Sequence, residues 1–289
     1  MGNKHSRIIE ILTERLPAEC MIDASISGLK LYRVDNSFSR KPASYNSEII
    51  IIVQGEKRVY LGDRVYMYDP SRYLVVPVPL PVECEAIVTD GPLLGLAIAV
   101  NPVTVGEILL EIDETGLPGD SIHRGIYTAA LTADIEDTVL RLLESLSGSN
   151  DGRILGPMIM REIVYRVMMG ENGFALQSLA YRDRKFFQIA RVLNRIHETY
   201  HESHDVKTLA MEAGMSLSSF HANFSAVTDV SPLQYIKSVR LHKARELMIQ
   251  HGINAYDAAL RVGYESPSQF NREYKRFFGI TPARDCMIR

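Results

Sequence analysis

The chain has 289 residues, enough for two domains, and its 46% hydrophobic and 23% charged residues are ordinary for a globular protein. No apolar run approaches the ~20 residues of a membrane span, and Cys20, Cys84 and Cys286 form neither a disulfide framework nor a C-x-x-C pair. The net charge of −3 hides an asymmetry, because residues 185–289 hold 14 Lys and Arg against 10 Asp and Glu, leaving 18 against 25 for residues 1–184. A mildly basic part joined to an acidic one predicts different partners for the two.

Residues 1–16 predict an amphipathic helix, with Ile8, Ile9, Leu12 and Leu16 at helical spacing. The charges at Glu10, Glu14 and Arg15 exclude a signal-peptide core there, so a reducing cytoplasm is the expected compartment. Met1-Gly2-Asn3-Lys4-His5-Ser6 fits the myristoylation pattern, which is short and frequent by chance. A β-rich stretch follows. Residues 49–53 are continuously apolar, and 58–61 and 64–68 flank Gly62-Asp63, a dipeptide suited to a two-residue hairpin turn. Further short strands are predicted over 73–78, 82–89 and 94–100, separated by Gly and Pro. Such short, evenly spaced strands argue for an antiparallel barrel or sandwich.

From Pro102 the pattern is helical, over 103–112, 134–146 and 154–169. The second has Ile135, Val139, Leu142, Leu143 and Leu146 along one stripe, longer than one packing partner needs, and is the candidate dimerisation helix. The polar break Tyr181-Arg182-Asp183-Arg184-Lys185 marks the expected domain boundary.

Beyond it lies an internal repeat. Ala210 precedes Gly214 by four residues, as Ala259 precedes Gly263; Phe220 and Phe224 match Phe270 and Tyr274; Pro232 and Pro282 each stand twelve residues after the first aromatic. One supersecondary unit is used twice. A small residue lets two helices cross closely, and the glycine supplies a left-handed turn, so each unit predicts a helix-turn-helix. Ser266-Pro267-Ser268-Gln269 is a helix start, with a serine cap and proline at the first helical position. At 100° per residue the face opposite Phe270 carries Ser268, Arg272 and Lys275, flanked by Gln269, Asn271 and Arg276. The matching face of the first unit carries Ser218, His221, Ala222 and Ser225. These ten residues are the candidate DNA contacts, with base edges met by the helix start and phosphates beside later turns. The first unit departs from an electrostatic DNA grip, having no Lys or Arg over residues 208–236.

The stretches SPLQYIKSVRLHKARELM (231–248) and RVGYESPSQFNREYKRFFGITP (261–282) resemble the AraC/XylS regulator family over roughly residues 185–287. Residues 57–82 are similar to the AraC-type N-terminal domain. The resemblance implies a two-domain α+β chain. Residues 1–180 would hold a cupin-like antiparallel β-barrel (about 20–100) and covering or dimerisation helices (about 102–180). Residues 185–289 would be an all-α domain with helix-turn-helix units at about 206–227 and 254–278, joined by a long helix. It further implies a transcription regulator that binds double-stranded promoter DNA, contacts RNA polymerase and forms a homodimer. A small organic effector is expected in the barrel, within residues 48–100. No catalytic residue, metal or cofactor is expected.

Two motifs point elsewhere. His197-Glu198-Thr199-Tyr200-His201 is a literal H-E-x-x-H, the zinc-hydrolase spacing, but His204 follows too closely for a third ligand. A catalytic cupin needs barrel histidines, and none occurs between His5 and His123.

Overall fold

A computed structural model describes residues 2–112, 122–181 and 184–287. Helix α1 (Gly2–Arg15) buries Ile8, Ile11 and Leu12 against the strands that follow. Those strands are β1 (Cys20–Asp23), β2 (Leu29–Val34), β3 (Phe38–Tyr45), β4 (Glu48–Gln54) and β5 (Glu56–Leu61). They continue as β6 (Arg64–Tyr68), β7 (Arg72–Val76), β8 (Leu80–Ile87) and β9 (Leu93–Ala99), and β10 (Tyr127–Ala130) comes after helix α2 (Pro102–Glu111).

The resemblance implies a closed cupin-like barrel, and the structure corrects this. The strands form two open antiparallel sheets, one of six in the order β1-β2-β9-β4-β7-β10 and one of four in the order β3-β8-β5-β6. Among the described residues no hydrogen-bonded ladder joins an edge of one to an edge of the other. The chain changes sheets at Gly55, with φ of +88°, and across Pro77-Val78-Pro79, where two residues lack the N–H a continuous ladder requires. The buried run of β4 follows from its place, since α1 contacts it as well as the neighbouring strands β7 and β9. The β5–β6 hairpin turns at Gly62-Asp63, with Leu61 opposite Arg64.

Helix α3 (Ala133–Ser145) packs on α1 and on α4 (Ser149–Met169), so Ile135, Val139, Leu142 and Leu143 are buried within the chain. The stripe expected to serve a second copy is long because it has two intrachain partners. The short helix α5 (Phe174–Gln177) ends this half, and of the expected boundary residues Arg182 and Asp183 lie outside the described residues.

Seven helices complete the described chain: α6 (Lys185–Glu198), α7 (Val206–Glu212), α8 (Leu217–Thr228), α9 (Pro232–His251), α10 (Ala255–Arg261), α11 (Pro267–Phe278) and α12 (Pro282–Asp285). One apolar core runs from the sheets through α6–α8 to Val239, whereas Leu241, Met248, Ala259, Phe270 and Tyr274 belong to a separate cluster. The first helix-turn-helix unit is thus continuous with the N-terminal half, and the second has its own core.

Candidate nucleic-acid interface

Each unit is built by the same local chemistry. Asp205 caps α7 by accepting from the Thr208 N–H at 3.0 Å, and Ser216 caps α8 through the Ser219 N–H at 3.3 Å. Ser266 caps α11 through the Gln269 N–H at 3.3 Å, with Pro267 at the first helical position. The turn glycines Gly214 and Gly263 have φ of +64° and +85°. A Cβ on Gly263 would also lie 2.4 Å from the His201 carbonyl oxygen, so the second turn excludes any side chain. Ala210 and Ala259 are buried at the crossings, and Phe220 and Phe224 of α8 and Phe270 and Tyr274 of α11 are fully buried on the inner faces of those helices.

The linker α9 starts with a reciprocal capping box between Ser231 and Gln234. Its 20 residues span about 30 Å, close to the ~34 Å of one duplex turn. Three of its cations tie it to neighbouring segments, and Arg240 bridges the two units. Arg240 donates to the carbonyls of Tyr200, Glu202 and Gly263, at 2.8, 2.7 and 3.1 Å. Arg245 pairs with the nearly buried Asp285 at 2.7 Å, and Lys237 with Glu273 at 2.9 Å.

Of the sequence-derived candidates, Ser268, Gln269, Asn271, Arg272, Lys275 and Arg276 all lie exposed on α11. Ser218, His221 and Ala222 are exposed on α8. Ser225 is half-buried, and its hydroxyl donates to the Val230 carbonyl at 3.2 Å. The H-E-x-x-H residues are not a metal site: α6 ends at Glu198, so His201 lies beyond the helix. No group of three His, Cys, Asp or Glu suited to a metal exists among the described residues. His197 is instead a core residue, its Nε2 2.9 Å from the Tyr235 hydroxyl. That hydroxyl donates to the Pro79 carbonyl at 2.6 Å, so its oxygen accepts from Nε2–H of the imidazole.

The Tyr235–Pro79 bond is one of several across the junction. The Gly125 N–H donates to the Val227 carbonyl at 3.0 Å, and Arg124 pairs with Asp229 at 3.4 Å. The hairpin tip touches Asp229 too, since a Cβ on Gly62 would sit 1.3 Å from its carboxylate oxygen. Beside these contacts a cavity of about 440 Å³ lies between β3, β5 and β8 on one side and α9 and α11 on the other. Pro42, Leu61, Val82, Leu241 and Phe277 give it apolar walls; Arg40, Lys237 and Arg276 bring three cations to it, with Glu83 and Glu273 opposing. Sequence reasoning missed Arg40 and Lys237, which stand 197 positions apart on different domains and carry no local signal.

The chain is similar to known proteins in sequence and in fold. The family model described as the AraC-type transcriptional regulator N-terminus matches residues 25–175, and a helix-turn-helix domain model matches residues 209–285. The thermoregulatory protein LcrF of Yersinia pestis is 24% identical over 197 residues, 67% of this chain and 69% of its own. The transcriptional regulator ExsA of Pseudomonas aeruginosa is 33% identical over 179 residues, 62% of each chain. Among solved structures, ToxT of Vibrio cholerae bound to an unsaturated fatty acid aligns with a TM-score of 0.59 at 11% identity. That alignment covers 90% of this chain and 94% of ToxT, a likeness of fold.

Proposed function

The chain belongs to the AraC/XylS family of sequence-specific DNA-binding transcription regulators, and from that premise we propose how its parts divide the work. Residues 185–289 hold double-stranded promoter DNA with α8 and α11 in successive major grooves, and from there the protein contacts RNA polymerase in the cytoplasm. The N-terminal half senses an effector and joins a second copy. The observation that carries this reading is the pair of capped, exposed recognition helices set apart by a 20-residue linker. A hydroxyl-radical footprint of the full chain on its operator should show two protected segments one helical turn apart on one face. Protection of a single segment would refute two working units.

The effector is assigned to the junction cavity, where apolar walls and cations from both halves meet. Apolar walls under three cations, of which Arg40 is paired with Glu83 and Lys237 with Glu273 while Arg276 is in no ion pair among the described residues, suit an amphiphilic carboxylate, the class of the fatty acid that ToxT is described as binding. A medium- or long-chain fatty acid at a hundred times its Kd should stabilise the protein by about 2.7 kcal/mol. The thermal shift should survive chelation, because no histidine or cysteine lines the cavity. It should fall sharply in Lys237→Ala and Arg40→Ala; an undiminished shift in both would place the ligand elsewhere.

Self-association is assigned to α4 rather than α3. Ile154, Leu155 and Met158 are 57%, 44% and 64% exposed on one face of α4. Sedimentation at micromolar concentration should show a dimer, and Met158→Glu should weaken it by roughly thirtyfold if that face forms the centre of the contact. A Met158→Glu protein as dimeric as wild type would refute the assignment.

A further inference from the structure

The two recognition helices present different chemistry to the groove. On α11 the exposed residues Gln269, Asn271, Arg272, Lys275 and Arg276 all carry hydrogen-bond donors, and three carry charge. On α8 the exposed residues are Leu217, Ser218, His221, Ala222 and Ala226, and Leu217 is 41% exposed at the first helical position. The Ser225 hydroxyl is committed to the Val230 carbonyl. No Lys or Arg stands anywhere over residues 208–236, and no acid lies on the exposed face of α8.

This leaves α8 few ways to tell base pairs apart. Bidentate recognition of guanine requires two donors from Arg or Lys, and bidentate recognition of adenine requires Asn or Gln. The exposed face of α8 has none of these. It offers instead an isobutyl group and two β-methyl groups, together with one hydroxyl and one imidazole. The feature of the major groove that apolar side chains recognise is the C5-methyl of thymine. Ser218 and Ala222 are small and four residues apart, so the helix can lie close enough for Leu217 and Ala222 to cover such methyls.

We infer that α8 selects its half of the operator mainly through thymine C5-methyl groups packed on Leu217 and Ala222, while α11 selects its half by hydrogen bonding. The inference rests on the reading of α8 as a groove-entering helix. It also explains how a helix without a fixed cation contributes to recognition: methyl burial is independent of salt, unlike phosphate neutralisation.

The test begins with a duplex selected by the full-length chain from a random library and footprinted. The α11 segment is the one where Arg272→Ala relaxes base preference. Replacing each thymine of the other segment by deoxyuridine removes only the methyl. At one or more positions this should weaken binding about fourfold, the ratio expected for burying one methyl group, with an unchanged salt dependence. The loss should disappear in Leu217→Ala or Ala222→Gly, whichever removes the side chain that covers that methyl. In the α11 segment, 7-deazaguanine should weaken binding roughly tenfold through a lost acceptor. Equal Kd for thymine and deoxyuridine duplexes, or a deoxyuridine loss that persists in both variants, would overturn the inference alone. A footprint lacking the second segment would overturn it together with the two-helix reading.

Discussion

Acidification from pH 7.5 to 5.5 should destabilise the DNA-binding half by about 2.5 kcal/mol while the sheets gain stability. In the helical half, burial pushes His242 down to about 3, with Arg245 and His197 adding to it. Burial likewise lowers His197 to about 4, helped by Lys243. Both imidazoles are neutral in the folded chain, and the unfolded chain binds more protons below its ordinary histidine pKa near 6.5. The stability they contribute is therefore present above that value and lost as pH falls, by about 1.3 kcal/mol for each histidine over this interval. Glu48 behaves oppositely: burial raises it to about 7, so the fold favours its protonated form. Its contribution is lost as pH rises through 7 and returns on acidification, about 1 kcal/mol after allowance for partial exposure. Hydrogen exchange resolved by domain, corrected for intrinsic rates at the two pH values, separates the effects. His242→Phe should halve the acid loss in the helical half, because the ring lies among Phe277 and Phe278 and its buried Nε2 has no hydrogen-bond partner. A His242→Phe protein that loses as much stability as wild type would assign the acid sensitivity to other groups.

The repeat was legible because its determinants are local. A cap, a small crossing residue, a positive-φ glycine and two aromatics act within some twenty residues, so their spacing survives in the sequence. Sheet closure was not legible. Strand existence follows from local pattern, but which edges pair depends on long-range partners, and the prolines between β7 and β8 read equally as a loop or a sheet crossing. The stripe on α3 illustrates the same limit. Periodicity showed that Ile135, Val139, Leu142 and Leu143 share a face; it carried no sign of whether α1 and α4 or a second copy would cover it.

On the outward faces of α8 and α11, angular position alone identified exposed residues on α11, since Phe270 and Tyr274 fix the inner face. It failed for Ser225, where the short side chain found a carbonyl beyond the end of its own helix. It also gave no means of separating cations free for DNA from those used in the fold. Lys237, Arg240, Lys243 and Arg245 follow the stretch without Lys or Arg in the sequence. In the structure each is tied, Arg240 to three carbonyls and the others to Glu273, Glu246 and Asp285.

That leaves α11 as the main source of charge on the two recognition helices, and its three cations should separate by experiment. No ion pair holds Arg272, Lys275 or Arg276 among the described residues, and all three are exposed. Arg272 lies in the second turn from the N-terminus and Lys275 and Arg276 lie a turn later; on the proposed docking, the first would meet base edges and the other two the phosphate backbone. Arg272→Ala should cost ~1–3 kcal/mol at one operator position and relax specificity there, with weaker change elsewhere. Lys275→Ala should weaken operator and scrambled DNA alike and flatten the slope of log affinity against log salt by about 0.9, the value for one phosphate. Arg276 adds a check, because it also lines the junction cavity. If it leaves phosphate for a bound carboxylate, Arg276→Ala should flatten the slope without fatty acid and make no further difference with it. On α8, Ser218→Ala should leave the slope unchanged, since no charge is removed. Equal slope losses from Ser218→Ala and Lys275→Ala, in titrations on both duplexes, would show that the electrostatic grip has been assigned to the wrong helix.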